Sequence, residues 1–112
     1  MNQKDFQRLL RRDNEACYHC ATDDQTLIPQ HRKNRGAGGS KLGDRPSNLI
    51  TLCSLANSLA ESDANFAALC RAYNWKLNSY QDSLKEPVYE MATGKWWRLD
   101  DSWGRHLDPY RN

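Results

Sequence analysis

The sequence predicts an α+β fold in a single domain spanning residues 1–112, and three observations carry that prediction. The length fits one domain. Strand-length apolar runs occur at 26–31 and 48–53, on either side of a glycine-rich loop. Apolar residues recur at helical spacing at 3–13 and again from 54 to 73. With 38% apolar and 27% charged residues, the composition is that of a globular protein with a modest core. Four Trp and five Tyr are many for this length, and their large buried areas help a small domain hold together.

The first element is an N-terminal helix over 3–13, with Phe6, Leu9 and Leu10 as its apolar stripe and Arg8, Arg11 and Arg12 largely outside it. Cys17-Tyr18-His19-Cys20 follows as a C-x-x-C knuckle. Thr26-Leu27-Ile28-Pro29-Gln30-His31 reads as a strand, with Pro29 placing it at an edge. Residues 32–46 are a basic loop punctuated by Gly36, Gly38, Gly39, Gly43 and Pro46; it lacks the G-K-[ST] ending of a P-loop. Asn48-Leu49-Ile50-Thr51-Leu52-Cys53 is the second strand, completing a hairpin with a long connection. Ser54 can cap the helix that follows. Leu55, Leu59, Phe66, Leu69, Cys70 and Tyr73 fall on one face of it, either as one long helix or as two broken near Ser62-Asp63. Asn57 and Glu61 lie one turn apart on the opposite side. A C-terminal β-hairpin over 87–99 turns at Thr93-Gly94, and the residues past Asp101 are expected to be a loose end.

The net charge of +2 does not by itself mark a nucleic-acid binder. Its distribution is more informative. Arg32, Lys33, Arg35, Lys41 and Arg45 cluster against one acid, Asp44, and Lys4, Arg8, Arg11 and Arg12 add to the basic side. Such clustering suits either a phosphate-binding face or a solvated loop. Trp96, Trp97 and Trp103 are expected to cover the core rather than to stack on bases. No apolar run is long enough for a membrane span, and Met1-Asn2-Gln3-Lys4-Asp5 has no apolar signal region. A cytoplasmic protein with reduced cysteines is therefore expected. Cys17, Cys20 and Cys53 are three of the four ligands a structural zinc wants. Cys70 lies about 25 Å from Cys53 along a continuous helix. The alternative is that the cysteines pack as small apolar groups.

The order of these parts is a C-x-x-C knuckle, a strand ending in His31, a loop, a strand beginning at Asn48, then Asn57 and Glu61 with three residues between them. Eight residues separate Asn48 from Asn57. Over residues 17–61 this resembles the HNH endonuclease family, in which a His ends the first strand and an Asn starts the second, followed by N-x8-H-x3-H. The Gln30-His31-Arg32 and Arg35-Gly36-Ala37-Gly38-Gly39 segments are also similar to those of small HNH-like proteins of actinobacterial phages.

The resemblance implies a ββα-metal core at 17–61 and hydrolysis of DNA phosphodiester bonds with a divalent ion, Mg²⁺ or Mn²⁺. His31 is then the general base and Asn48 orients its ring. Gln30, Asn57 and Glu61 hold the ion, and Cys17, Cys20 and Cys53 a structural zinc. Arg32, Lys33, Arg35, Lys41 and Arg45 are placed for DNA phosphates. The chemistry is coherent: a neutral imidazole suits proton abstraction from water, and a cation stabilises charge on the phosphate. Gln30, Asn57 and Ala56 depart from the family pattern. Active members commonly carry Asp, His or Glu where Gln30 stands, and often His where Asn57 stands. Ala56 stands where a second C-x-x-C would place its last ligand. Two readings follow: an HNH-type hydrolase, or an inactive HNH-fold phage protein that binds DNA or a host protein, in the host cytoplasm if phage-encoded. A redox role for the Cys17/Cys20 pair is a third reading, but it lacks the βαβ context such pairs have.

Overall fold

The computed structural model describes residues 1–34 and 41–112, with Lys41 and Leu42 described by backbone alone. Arg35, Gly36, Gly38 and Gly39 lie outside the described residues, as does the side chain of Lys41. Among the described residues the fold is mixed α+β, with three α-helices and two small antiparallel sheets. Among the described residues no helix is long and apolar enough to cross a membrane.

Helix α1 spans Gln3–Arg12; Asn2 caps it, its side chain accepting from the Asp5 amide at 2.8 Å. Leu9 is buried, and Phe6 and Leu10 are half-buried, as the apolar stripe requires. Asn14 and Glu15 then take positive φ and end the helix. Arg12 departs from expectation. It is buried, its guanidinium donating to Asp13 through Nε (2.8 Å) and one terminal nitrogen (3.0 Å). The same group donates to the carbonyls of Pro46 and Leu49. Asp13 also accepts from the Tyr18 hydroxyl (2.6 Å) and from the amide and hydroxyl of Thr51. A buried charge is tolerated when it is paired and its remaining hydrogen-bonding sites are filled. This knot ties α1, the knuckle and the second strand together, so Arg12 is no part of a basic surface.

Strands β1 (Leu27–His31) and β2 (Leu49–Cys53) pair antiparallel, with Leu27 opposite Cys53 and His31 opposite Leu49. Every β2 residue is buried, which its apolar run predicts. Asn48 ends a single 3₁₀ turn, Pro46–Asn48, instead of opening the strand. Helices α2 (Ser54–Ser62) and α3 (Ala64–Ala72) are separate, broken at Asp63, whose carboxylate caps α3 through the Phe66 amide. The first cap is Cys53, whose sulfur accepts from the Ala56 amide at 3.4 Å; Ser54 is already inside the helix.

The break resets the helical phase, so the single apolar face expected over 55–73 does not form. Ala56 and Ala60 are the buried residues of α2, while Leu55 is 68% exposed. The core joins Tyr18, Ile50, Leu52, Ala56, Ala60, Cys70, Trp75, Val88 and Leu99, with Trp97 packed against it.

The second sheet is β3 (Val88–Glu90), β4 (Lys95–Leu99) and β5 (Arg105–Leu107) in that order. The hairpin is as the sequence suggests, turning at Gly94 with φ 67°. The loose end past Asp101 is not found: β5 pairs with β4, and Asp108 is buried against Arg98 at 2.8 Å. A close approach at Gly104 allows this return. A Cβ there would meet an Asp100 carboxylate oxygen at 2.5 Å. The same carboxylate accepts from the Gly104 amide.

Candidate functional site

The β1–β2 hairpin carries chemistry at both ends. At the Cys53 end, the knuckle folds as a tight turn. The Ala21 amide donates to the Cys17 carbonyl and the Cys17 amide to the Thr22 carbonyl, both at 2.9 Å, with Ala21 at φ 63°. The Tyr18 amide donates to the Thr51 carbonyl, docking the knuckle beside β2. This brings Cys17, Cys20 and Cys53 together, one sulfur each, all within 4.8 Å of one another. Cys20 and Cys53 sulfurs stand 3.8 Å apart. Cys17 and Cys53 are buried and Cys20 is exposed. Burial pushes the Cys17 thiol up to about 12, against the backbone amides of Cys20, Cys53 and His19, which favour the thiolate. The cluster can bind a metal ion. Cys70 is not in it. The His19 ring instead packs edge-on to Phe66 (4.9 Å) and Trp75 (5.5 Å).

At the other end, Gln30 and His31 occupy consecutive strand positions and so project to opposite faces. Their partners differ accordingly. Gln30 is buried; its side-chain carbonyl accepts from the Asn57 amide of α2, and its own amide donates to the His31 carbonyl. His31 Nε2 lies 2.8 Å from an Asp44 carboxylate oxygen. Sequence reasoning passed over Asp44, although its being the one acid in a basic loop after His31 was a usable signal.

Asn48 does not orient the His31 ring. Its carbonyl accepts from the Lys33 amide, and its nitrogen donates to the carbonyls of Lys33 and Gly43. It pins together the two ends of the loop, and so acts on Asp44 through the backbone. Glu61 is exposed near the end of α2. Gln30, Asn57 and Glu61 fit a divalent ion poorly. Two of the three are neutral amides that satisfy each other, and hard cations prefer carboxylates. Among the described residues the thiol cluster is the one group of three His, Cys, Asp or Glu side chains that converges.

Among the described residues of the basic cluster, Arg32, Lys33 and Arg45 are committed to internal contacts. Arg32 is fully buried and donates to the carbonyls of Asn74, Ser47, Ser83 and Glu86. Burial lowers it to about 10. It holds the segment before β3 against the loop, so its expected contact with DNA phosphate is corrected. Lys33, half-buried, donates to the Gln81 carbonyl at 2.9 Å. Arg45 is paired with Asp101.

No family model, curated protein or solved structure matches the chain.

Proposed function

We propose that this chain is an HNH-type hydrolase of nucleic-acid phosphodiester bonds on a ββα frame, with His31 as its general base. The observation that carries the reading is the His31–Asp44 contact at the end of a strand–loop–strand–helix unit. A carboxylate on Nε2 holds the proton there and leaves the Nδ1 lone pair for base work. Nδ1 takes a proton from water, the water oxygen bonds to phosphorus, and the bond from phosphorus to the leaving sugar oxygen breaks; that oxygen takes a proton from a second water, and the His31 imidazolium returns its proton to the hydroxide left behind. Asp44 stabilises the imidazolium that forms, as a carboxylate does in other His-based sites. Because Gln30, Asn57 and Glu61 make a poor cation cage, no step is assigned to a metal. DNA is the expected substrate. A structural zinc at Cys17, Cys20 and Cys53 belongs to the same reading, joining the knuckle to the β2–α2 corner.

A second reading rests on the Gln30–Asn57 bond. These amides complete each other where the family resemblance expects an ion. That favours an inactive HNH-fold protein, of phage type, that binds DNA or a host protein.

A supercoiled-plasmid nicking assay separates the two readings. The hydrolase reading expects nicking that His31→Ala abolishes and Asp44→Asn lowers by about two orders of magnitude or more. Absence of nicking by the folded protein, at high enzyme with Mg²⁺ or Mn²⁺, overturns it. A gel shift without cleavage then supports the binding module.

A further inference from the structure

The thiol cluster has a feature that the zinc reading leaves open, namely the fourth ligand. Tetrahedral zinc with Zn–S near 2.3 Å places its sulfurs about 3.8 Å apart. The Cys20 and Cys53 sulfurs already have that separation, and all three fit within 4.8 Å. The three donors are thus nearly in place for one soft cation.

Among the described residues no other Cys, His, Asp or Glu side chain joins the cluster. Cys70 is outside the group. The His19 ring is held between Phe66 and Trp75. His31 is engaged by Asp44 and His106 by Asp100, each at 2.8 Å. Residues 35–42 contain no Cys, His, Asp or Glu. Ala56, three residues after Cys53, is buried with only a methyl group to offer. The exposed member is Cys20, so the cluster opens to solvent on that side.

Resting on the zinc reading above, we propose that Cys17, Cys20 and Cys53 form a tricysteinyl zinc site whose fourth position is filled from outside the chain. Water holds it at rest, and a neutral imidazole donor takes it when available. Charge selects the class of ligand. Three thiolates on Zn²⁺ leave a net charge of −1, and an anionic fourth ligand would make it −2. Imidazole completes the tetrahedron without adding charge and is a common zinc ligand. Three protein ligands with one exchangeable position is the pattern of zinc sites that act on an incoming group, whereas purely structural sites are closed.

The test uses the whole chain loaded anaerobically with one equivalent of Co²⁺, compared with Ala56→Cys, which supplies a fourth thiol at knuckle spacing. The expected result is a thiolate-to-cobalt band at roughly three quarters of the intensity in Ala56→Cys, from three sulfurs against four. Added imidazole shifts the visible cobalt bands of the native chain and leaves those of Ala56→Cys unchanged. Absence of any thiolate band overturns the zinc reading itself. A band that imidazole does not move overturns the open position while leaving zinc in place. His19→Asn is the internal control: if it changes the cobalt spectrum before imidazole is added, His19 is the fourth ligand and the proposal fails. Should Ala56→Cys not fold, the imidazole titration of the native chain decides alone.

Discussion

The two ends of the β1–β2 hairpin differ in how their polar groups are satisfied. At the His31 end the polar side chains of Gln30, His31, Asn48 and Arg32 each have a partner within the protein. Gln30 meets Asn57, His31 meets Asp44, Asn48 meets the backbone of Lys33 and Gly43, and Arg32 fills four carbonyls. At the Cys53 end three thiols face one another, and thiols are weak partners for each other. A self-satisfied network needs no ligand to be stable. A group of like donors with little to offer each other becomes strongly stabilising only when something binds them. By this contrast the thiols, and not Gln30, Asn57 and Glu61, are the better place for a metal ion.

The strongest way to break this contrast is chelation. Zinc that binds only the folded chain adds about 4 kcal/mol when free metal is a thousandfold above Kd. A tight chelator in excess should therefore lower the melting temperature substantially, and Cys53→Ser should remove the chelator's effect. Cys70→Ala, at a buried cysteine outside the cluster, should cost a small core-truncation penalty that is the same with and without chelator. A melting temperature indifferent to chelator would place the two ends on the same footing. The next largest effect belongs to Arg32. Arg32→Ala strands four carbonyls, three of them in buried bonds, and should cost about 3 kcal/mol in denaturant unfolding. Arg32→Lys should recover only part, because an ammonium cannot reproduce the guanidinium fork. In a gel shift, Arg32→Lys should bind DNA as the native chain does; a weaker shift would return Arg32 to the surface role the sequence suggested.

The legible parts of this protein are those governed by local pattern. The β1–β2 hairpin, α1, the break at Asp63 and the β3–β4 hairpin follow from periodicity and turn residues, which act over a few positions. The grouping of Cys17, Cys20 and Cys53 follows from knuckle spacing plus strand order. What was not legible depends on long-range burial. Arg12 and Arg32 look like surface cations because charge predicts exposure, and only the tertiary fold offers the carbonyls that bury them. Leu55 fails for a related reason. The sequence allows the break near Ser62-Asp63, but the buried positions of α2 are Ala56 and Ala60, and that choice of face is set by packing. The C-terminal return is carried by a three-residue strand and one glycine, too short for any periodic signal. Asp44 was visible as a lone acid, but its pairing with His31 across thirteen residues needed the loop geometry.

A smaller change sharpens the contrast from the His31 side. Gln30→Glu keeps an oxygen where Asn57 donates and adds the anionic ligand that the position lacks. It should raise Mn²⁺ affinity about tenfold, read by calorimetry or by the resonance signal of free Mn²⁺. Stability should fall, since the Asn57 bond survives but the bond from the Gln30 amide to the His31 carbonyl is lost and a buried position gains a charge. Unchanged Mn²⁺ binding would mean that Gln30 and Asn57 do not lie where an HNH ion sits, and the resemblance would then hold for strand order alone.

The smallest effect tests whether the loop that positions Asp44 is itself held from outside the hairpin. Asp101 accepts from the Ser47 amide at 3.0 Å and from Arg45 Nε at 2.8 Å, clasping the end of the loop to the C-terminal sheet. Partial burial pushes the Asp101 carboxyl up, but the bonds from Ser47 and Arg45 outweigh it and hold the carboxyl below its ordinary value. A folded pKa below the unfolded one stabilises the protein above the unfolded value, and that contribution disappears as pH falls through the folded one. The clasp is therefore intact at neutral pH and lost in acid, below the ordinary aspartate value of about 3.9. Asp101→Asn should remove about 0.5 kcal/mol at pH 7, the scale of a partly exposed ion pair. The gap between mutant and native stability should narrow as the pH is lowered past that point. A gap independent of pH would show that the Asp101 charge contributes nothing to holding the loop in place.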